Sequence, residues 1–143
     1  MADETTNARL NELLIRIYRS LLQYAGECWP WTAAPVEEEA IRSLVAEQQQ
    51  FVAALVDLLS ARYWPIEFGS FPTEYTDLHY VALDYLLDEM ITNQQTLIAD
   101  LEGAHASVTG DTAAIDLIND ILHSQRQIVA KLQTLASARK QAA

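Results

Sequence analysis

Glycine and proline are scarce in this chain, four of each in 143 residues. That is too few to turn a chain about every 8–12 residues, which excludes a β-sandwich or barrel. Cysteine occurs once, at Cys28, so neither an intrachain disulfide nor a cysteine zinc cluster can form, as suits a reducing compartment. Basic residues number nine against 20 acidic ones, a net charge of −11. A surface with that field repels phosphate backbones and anionic headgroups, so neither nucleic acid nor membrane is an expected partner. No stretch approaches 18 uninterrupted apolar residues. Met1-Ala2-Asp3-Glu4 is polar and acidic where a signal peptide would be basic and then apolar, and the expected location is cytoplasmic.

What is abundant is apolar side chain, 50% of the whole, enough to fill one core and to exclude disorder as the main state. It recurs at three- and four-residue spacing in four segments, predicting a single all-α domain over 1–143 with helices at about 5–26, 35–62, 73–101 and 111–138. Leu10, Leu13, Leu14, Ile17, Leu21 and Tyr24 form the stripe of the first. Pro35 suits a first helical position, and Glu37-Glu38-Glu39 place negative charge at the positive end of the second helix. Gly103 to Gly110 reads as a loop, with Asp111 or Thr112 capping the fourth helix. Four helices in one domain predict a left-handed bundle.

An internal repeat strengthens this reading. Ala46–Arg62 set on His123–Arg139, a shift of 77 residues without gaps, gives nine identical pairs of 17, among them Gln48/Gln125, Val52/Val129 and Arg62/Arg139. Helices two and four therefore read as copies, the visible half of a duplicated hairpin.

The chain resembles the ferritin-like superfamily, which includes bacterioferritins and rubrerythrins. Leu10-Asn11-Glu12-Leu13-Leu14 with Gln23-Tyr24 is similar to the bacterioferritin first helix, and Ala46-Glu47-Gln48-Gln49-Gln50-Phe51 to the Glu-x-x-His segment of the second. The resemblance implies two hairpins related by a pseudo-twofold axis, with a long crossover between helices two and three. Residues 63–72 could span about 33–36 Å when extended, enough to run the length of such a bundle. The resemblance also implies a two-metal site of four carboxylates and two histidines. Here Ile17 stands at the first carboxylate, Glu47 matches, Gln50 replaces a histidine, Asp84 takes the third-helix place, and Ser124 and Gln127 replace the last Glu-x-x-His. Amides and hydroxyls neutralise no cation, and imidazole is lost altogether, so no di-iron centre and no other cofactor is expected.

The candidate binding site is a belt of polar groups at mid-bundle: Glu47, Gln50, Asp84, Ser124 and Gln127, with Gln48, Gln94 and Gln125 beside them. It can hold a small polar ligand or a weakly bound cation, or it is a self-satisfied network left after metal loss. Asp120-Ile121-Leu122-His123 reads as a solvated face, and His79 as an interfacial histidine. Arg9, Arg16 and Arg19 are expected to pair with acids of a neighbouring helix. Tyr63, Trp64, Phe68 and Phe71 of the crossover, with Tyr85, form a candidate interface, alongside the aromatic turn Trp29-Pro30-Trp31. Val81, Ala82, Leu83, Tyr85, Leu86, Leu87, Met90 and Ile91 nearly encircle helix three, predicting a homodimer. The function expected is a non-catalytic ferritin-like binding or scaffolding module. The alternative is a metal-dependent oxidase or peroxidase built on Glu47 and Asp84.

Overall fold

The computed structural model describes residues 3–27, 34–78 and 82–142. Cys28, Trp29-Pro30-Trp31, His79, Tyr80 and Val81 lie outside the described residues. Among those described, all regular structure is helical: α1 Glu4–Tyr18, α2 Leu21–Glu27, α3 Pro35–Ala61, a 3-10 helix Thr73–Leu78, α4 Leu83–Ser107 and α5 Thr112–Ala142. None of these helices is long and apolar enough to cross a membrane.

The helix ends follow from local chemistry. Asp3 caps α1 by accepting the Thr6 N–H at 2.6 Å. Pro35 opens α3, while Glu37 reaches back to accept the Ala34 N–H at 2.8 Å. Asp111 is the N-cap of α5, taking the Ala114 N–H at 3.2 Å.

The fourth predicted helix runs on to Ala142 rather than 138, and three further boundaries differ from those the sequence predicts. The first helix is not continuous to residue 26: it breaks at Arg19 and Ser20, where the Ser20 N–H reaches Ile17 O at 3.2 Å. The break leaves the Leu21 N–H without a helical partner, and Asn93 Oδ1 of α4 accepts it at 3.0 Å. The apolar stripe runs through the kink with little change of phase, so its periodicity conceals the break. The third helix starts at Leu83 rather than 73, because Ala82 is extended (ψ 151°) and the chain before it forms only a 3-10 helix. Its other end passes through Gly103 to Ser107, since burial of Leu101, Ala104 and Val108 holds this stretch helical, and the turn falls on Gly110, whose φ of +74° suits glycine.

The helices pack as four arms, with α1–α2 and α5 each flanked by α3 and α4. Gln48 meets Gln125, Arg62 meets Asp111 and Glu37 meets Arg139, so α3 and α5 run antiparallel. Arg16 meets Asp100 and Leu21 meets Asn93, so the first arm is antiparallel to α4. α3 thus ends at the end of the molecule marked by Asp111, and α4 begins at the end marked by Glu37. Gly69, at φ +66°, lets the connection between them touch α1: a Cβ there would lie 2.7 Å from Ile15 Cγ2.

The apolar core is divided in two. One cluster gathers Leu10, Leu14 and Ile17 with Leu55, Leu101 and Ile118. The other gathers Leu22, Ile41, Leu87, Met90, Ile128 and Leu132. Along every arm the boundary between them is a polar residue: Ser20 before Leu21, Gln48 between Leu44 and Val52, Gln94 between Met90 and Leu97, and Gln125 between Leu122 and Ile128.

Candidate functional site

That boundary is a layer of amides across the middle of the molecule. Gln48, Gln94 and Gln125 are fully buried, and Ser20, Gln23 and Ser124 nearly so. Gln48 is the hub. Its Oε1 accepts from Gln23 Nε2 at 2.9 Å and from Ser20 Oγ at 3.3 Å, and its Nε2 donates to Gln125 Oε1 at 2.9 Å. Gln23 Nε2 also reaches Val45 O at 3.0 Å, and Gln49 donates to Gln23 Oε1 at 3.2 Å. Beside the hub, Ser124 Oγ donates to Glu47 Oε2 at 2.9 Å.

Both bonds that join α3 to α5 in this layer, Gln48–Gln125 and Glu47–Ser124, link residues 77 apart. Each side chain therefore meets its own repeat equivalent, as residues beside a twofold axis do. The ends of the two helices obey the same relation. Arg62, near the end of α3, forms a two-pronged pair with the α5 cap Asp111 at 2.8 and 2.9 Å; Arg139, its equivalent on α5, holds the α3 capping residue Glu37 at 2.6 Å. The 77-residue shift also carries Leu10, Leu13, Ile17 and Ser20 onto Leu87, Met90, Gln94 and Leu97, all of them buried. The offset that aligns α3 with α5 thus also sets the buried positions of α1 on buried positions of α4.

Of the predicted belt, the structure brings Glu47 and Ser124 together beside Gln48, Gln94 and Gln125. Gln50 and Gln127 are exposed instead, Gln127 lying 3.2 Å from His123. Two residues beyond Gln48 and Gln125, they point about 200° around their helices. Asp84 is exposed at the end of the molecule, paired with Arg139 Nε at 2.6 Å. The 77-residue shift explains the misplacement: the α4 equivalent of Ile17 is Gln94, and Asp84 lies ten residues earlier, about 15 Å along the helix. Ser20 and Gln23 are the members that residue patterns pass over, although Ser20 sits within the apolar stripe between Ile17 and Leu21 and a polar residue on such a stripe asks for a partner.

Electrostatics concentrate at the two ends. The Arg62 hydrogen bond holds the Asp111 carboxyl below its ordinary value, outweighing burial. Burial pushes Glu37 up, but the Arg139 hydrogen bond, the Ala34 N–H and the Arg139 charge together leave it lowered. Asp84 is lowered by its hydrogen bond to Arg139, and Arg139 is raised by Asp84 and Glu37. Among the described residues, no three of the histidine, cysteine, aspartate and glutamate side chains gather as they would around a metal ion. Glu102-Gly103-Ala104-His105 has Glu-x-x-His spacing, yet both residues face solvent on α4.

The candidate interface aromatics divide. Trp64 packs on the core, and Phe71 meets Tyr24 edge-on at 5.1 Å between centroids. Phe68 is 43% exposed, with its edge on Tyr18 at 5.9 Å, and Tyr85 is 54% exposed. Tyr63 is 95% exposed and has a φ of +57°, which strains a non-glycine residue. Of the residues that nearly encircle helix three, Leu83, Leu86, Leu87 and Met90 share one face and are buried in their own chain, Ile91 is half-buried, and Ala82 and Tyr85 are exposed. Arg9 pairs with Glu12 and Arg16 with Asp100, whereas Arg19 meets the carbonyl of Phe68 at 3.1 Å and no carboxylate among the described residues.

Compared with protein-family models, with curated proteins and with solved structures, the chain matches none.

Proposed function

We propose that this chain is a ferritin-like four-helix-bundle module that has exchanged redox chemistry for binding or scaffolding. The observation that carries this is the 2.9 Å amide contact between Gln48 and Gln125. Where such bundles present carboxylate and imidazole to two metals, these helices present neutral amides to each other. The end of α3 and the start of α4 at opposite ends of the molecule, and the pseudo-twofold pairing of α3 with α5, favour the ferritin-like topology. The oxidase alternative loses its geometry: Asp84 shares Arg139 with Glu37, and Glu37 stands ten residues, about 15 Å, from Glu47. Protein purified without chelator should hold well under one iron per chain, and air admitted after anaerobic Fe(II) addition should oxidise iron no faster than in buffer. Near-stoichiometric iron with rapid oxidation would overturn the reading.

Self-association belongs to the same proposal. Tyr63 carries backbone strain and buries almost nothing within its own chain, so its aromatic ring finds its use outside the monomer. With exposed Phe68 and Tyr85 it supplies anchors for twofold pairing. Light scattering at tens of micromolar should give twice the 16.0 kDa chain mass, and Tyr63→Gly, which relieves the strain, should shift the protein toward monomer while raising monomer stability. A single-chain mass for the unaltered protein would refute the dimer.

A further inference from the structure

The kink between α1 and α2 opens a groove of about 270 Å³ that touches the amide layer only at Ser20. Its walls are α1 and α4, and its roof is the crossover. Ile15, Leu97 and Pro72 supply apolar surface, while Arg16, Arg19 and Asp100 supply charge. Arg16 Nη1 lies 3.4 Å from Asp100 Oδ2, so that cation is already met. Arg19 is not. Its Nε donates to Phe68 O at 3.1 Å, and its guanidinium lies over the rings of Tyr18 and Phe71, 4.4 and 5.0 Å from their centroids. These contacts orient the guanidinium without neutralising it.

In a chain with 20 acidic residues, an unneutralised arginine is notable by position. Arg126 and Lys131 also lack a carboxylate partner among the described residues, but both stand exposed on α5. Arg19 is half-buried and faces the groove. Two cations against one anion leave a single positive charge in excess. A monoanion balances it, whereas a dianion would bring surplus negative charge into a field that is already negative. Tyr75 adds a neutral donor: its oxygen accepts from Asn93 Nδ2 at 3.0 Å, leaving its own proton available, and burial keeps that proton on. The volume sits near the lower edge of ligand pockets, about 300 Å³, and so fits a body of a few carbons.

We infer that this groove binds a small monocarboxylate, its charged end on Arg19 in two-pronged hydrogen bonding and its short apolar body against Ile15, Leu97 and Pro72. The inference stands on its own residues and does not depend on the reading of the amide layer.

The test follows the arginine Nε–H resonances of the ¹⁵N-labelled protein during titration with sodium butyrate at constant ionic strength, with parallel titrations of inorganic phosphate and of sodium chloride. Butyrate should shift the Arg19 resonance saturably with a millimolar Kd, and phosphate should bind more weakly. Arg19→Gln should raise the butyrate Kd by about tenfold or more, the worth of a charge-assisted pair. Asp100→Asn frees Arg16 and should lower the Kd by about threefold to tenfold, a gain that a damaged fold cannot produce. No saturable shift, tighter binding of phosphate, or an affinity unmoved by Asp100→Asn would each overturn the assignment.

Discussion

Arg62→Met, with Asp111 left in place, is expected to lower the unfolding free energy by about 3 kcal/mol, near the lower bound for breaking a buried ion pair. The pair is two-pronged, at 2.8 and 2.9 Å, and its side chains are 16% and 8% exposed, so water cannot replace the lost guanidinium well. Arg62 also donates to Asn7 Oδ1 at 2.9 Å, tying α1 to the same point. Asp111 must meanwhile continue to cap α5. The double variant Arg62→Met, Asp111→Asn keeps a capping oxygen without the charge and should recover a large part of the loss. Urea denaturation of the four proteins of this cycle measures the coupling, and a single-variant loss under about 1 kcal/mol would demote the pair to the rank of a surface contact.

The same geometry sets an acid limit. Asp111 and Glu37 are held below their ordinary values in the folded chain, so the stability they contribute is complete above the unfolded values, 3.8 and 4.5. It is lost as pH falls below those values and through the lowered folded ones. The urea midpoint should therefore decline below about pH 4.5, and Arg62→Met should remove the Asp111 part of that decline while leaving the part due to Glu37.

Gln94→Leu should do the opposite of what a core polar-to-apolar change does where the amide is bonded, stabilising the chain by about 2 kcal/mol. Gln94 is fully buried, and neither its nitrogen nor its oxygen has a hydrogen-bond partner among the described residues. Each such group forfeits its hydration for nothing, at a cost of about 1–3 kcal/mol. Leucine fills a similar volume and joins the apolar clusters on either side. Gln48→Leu should destabilise by about 2 kcal/mol, because Gln125 and Gln23 would lose their partner in a dry layer. Thermal and urea unfolding of the two variants gives opposite signs on this account. Destabilisation of the Gln94 variant by more than about 1 kcal/mol would mean that its amide has a partner after all. A polar layer of this kind also fixes register, since a slip of one turn in α3 against α5 would set Gln48 against the apolar Ile121 and Leu122 or Ile128 and Val129.

The all-α class was legible in the residues alone, because four glycines cannot turn sheets and because apolar spacing is a local property of a helix. The 77-residue repeat was legible as well, and its one fixed offset marks Gln48 with Gln125 and Arg62 with Arg139 as equivalent pairs. The outward turn of Gln50 and Gln127 could also have been read from two residues of helical rotation, which weighs more than alignment to a metal motif. What only the tertiary structure decided were the partners. The break at Ser20 depends on Asn93 accepting an N–H 72 residues away, Asp84 is drawn to Arg139 by the ends of three helices converging, and Arg19 is left without a carboxylate because the crossover offers it a carbonyl and two rings. Periodicity records which face of a helix is buried; which side chain waits across the gap is a property of the packing, written nowhere in the local spacing of residues.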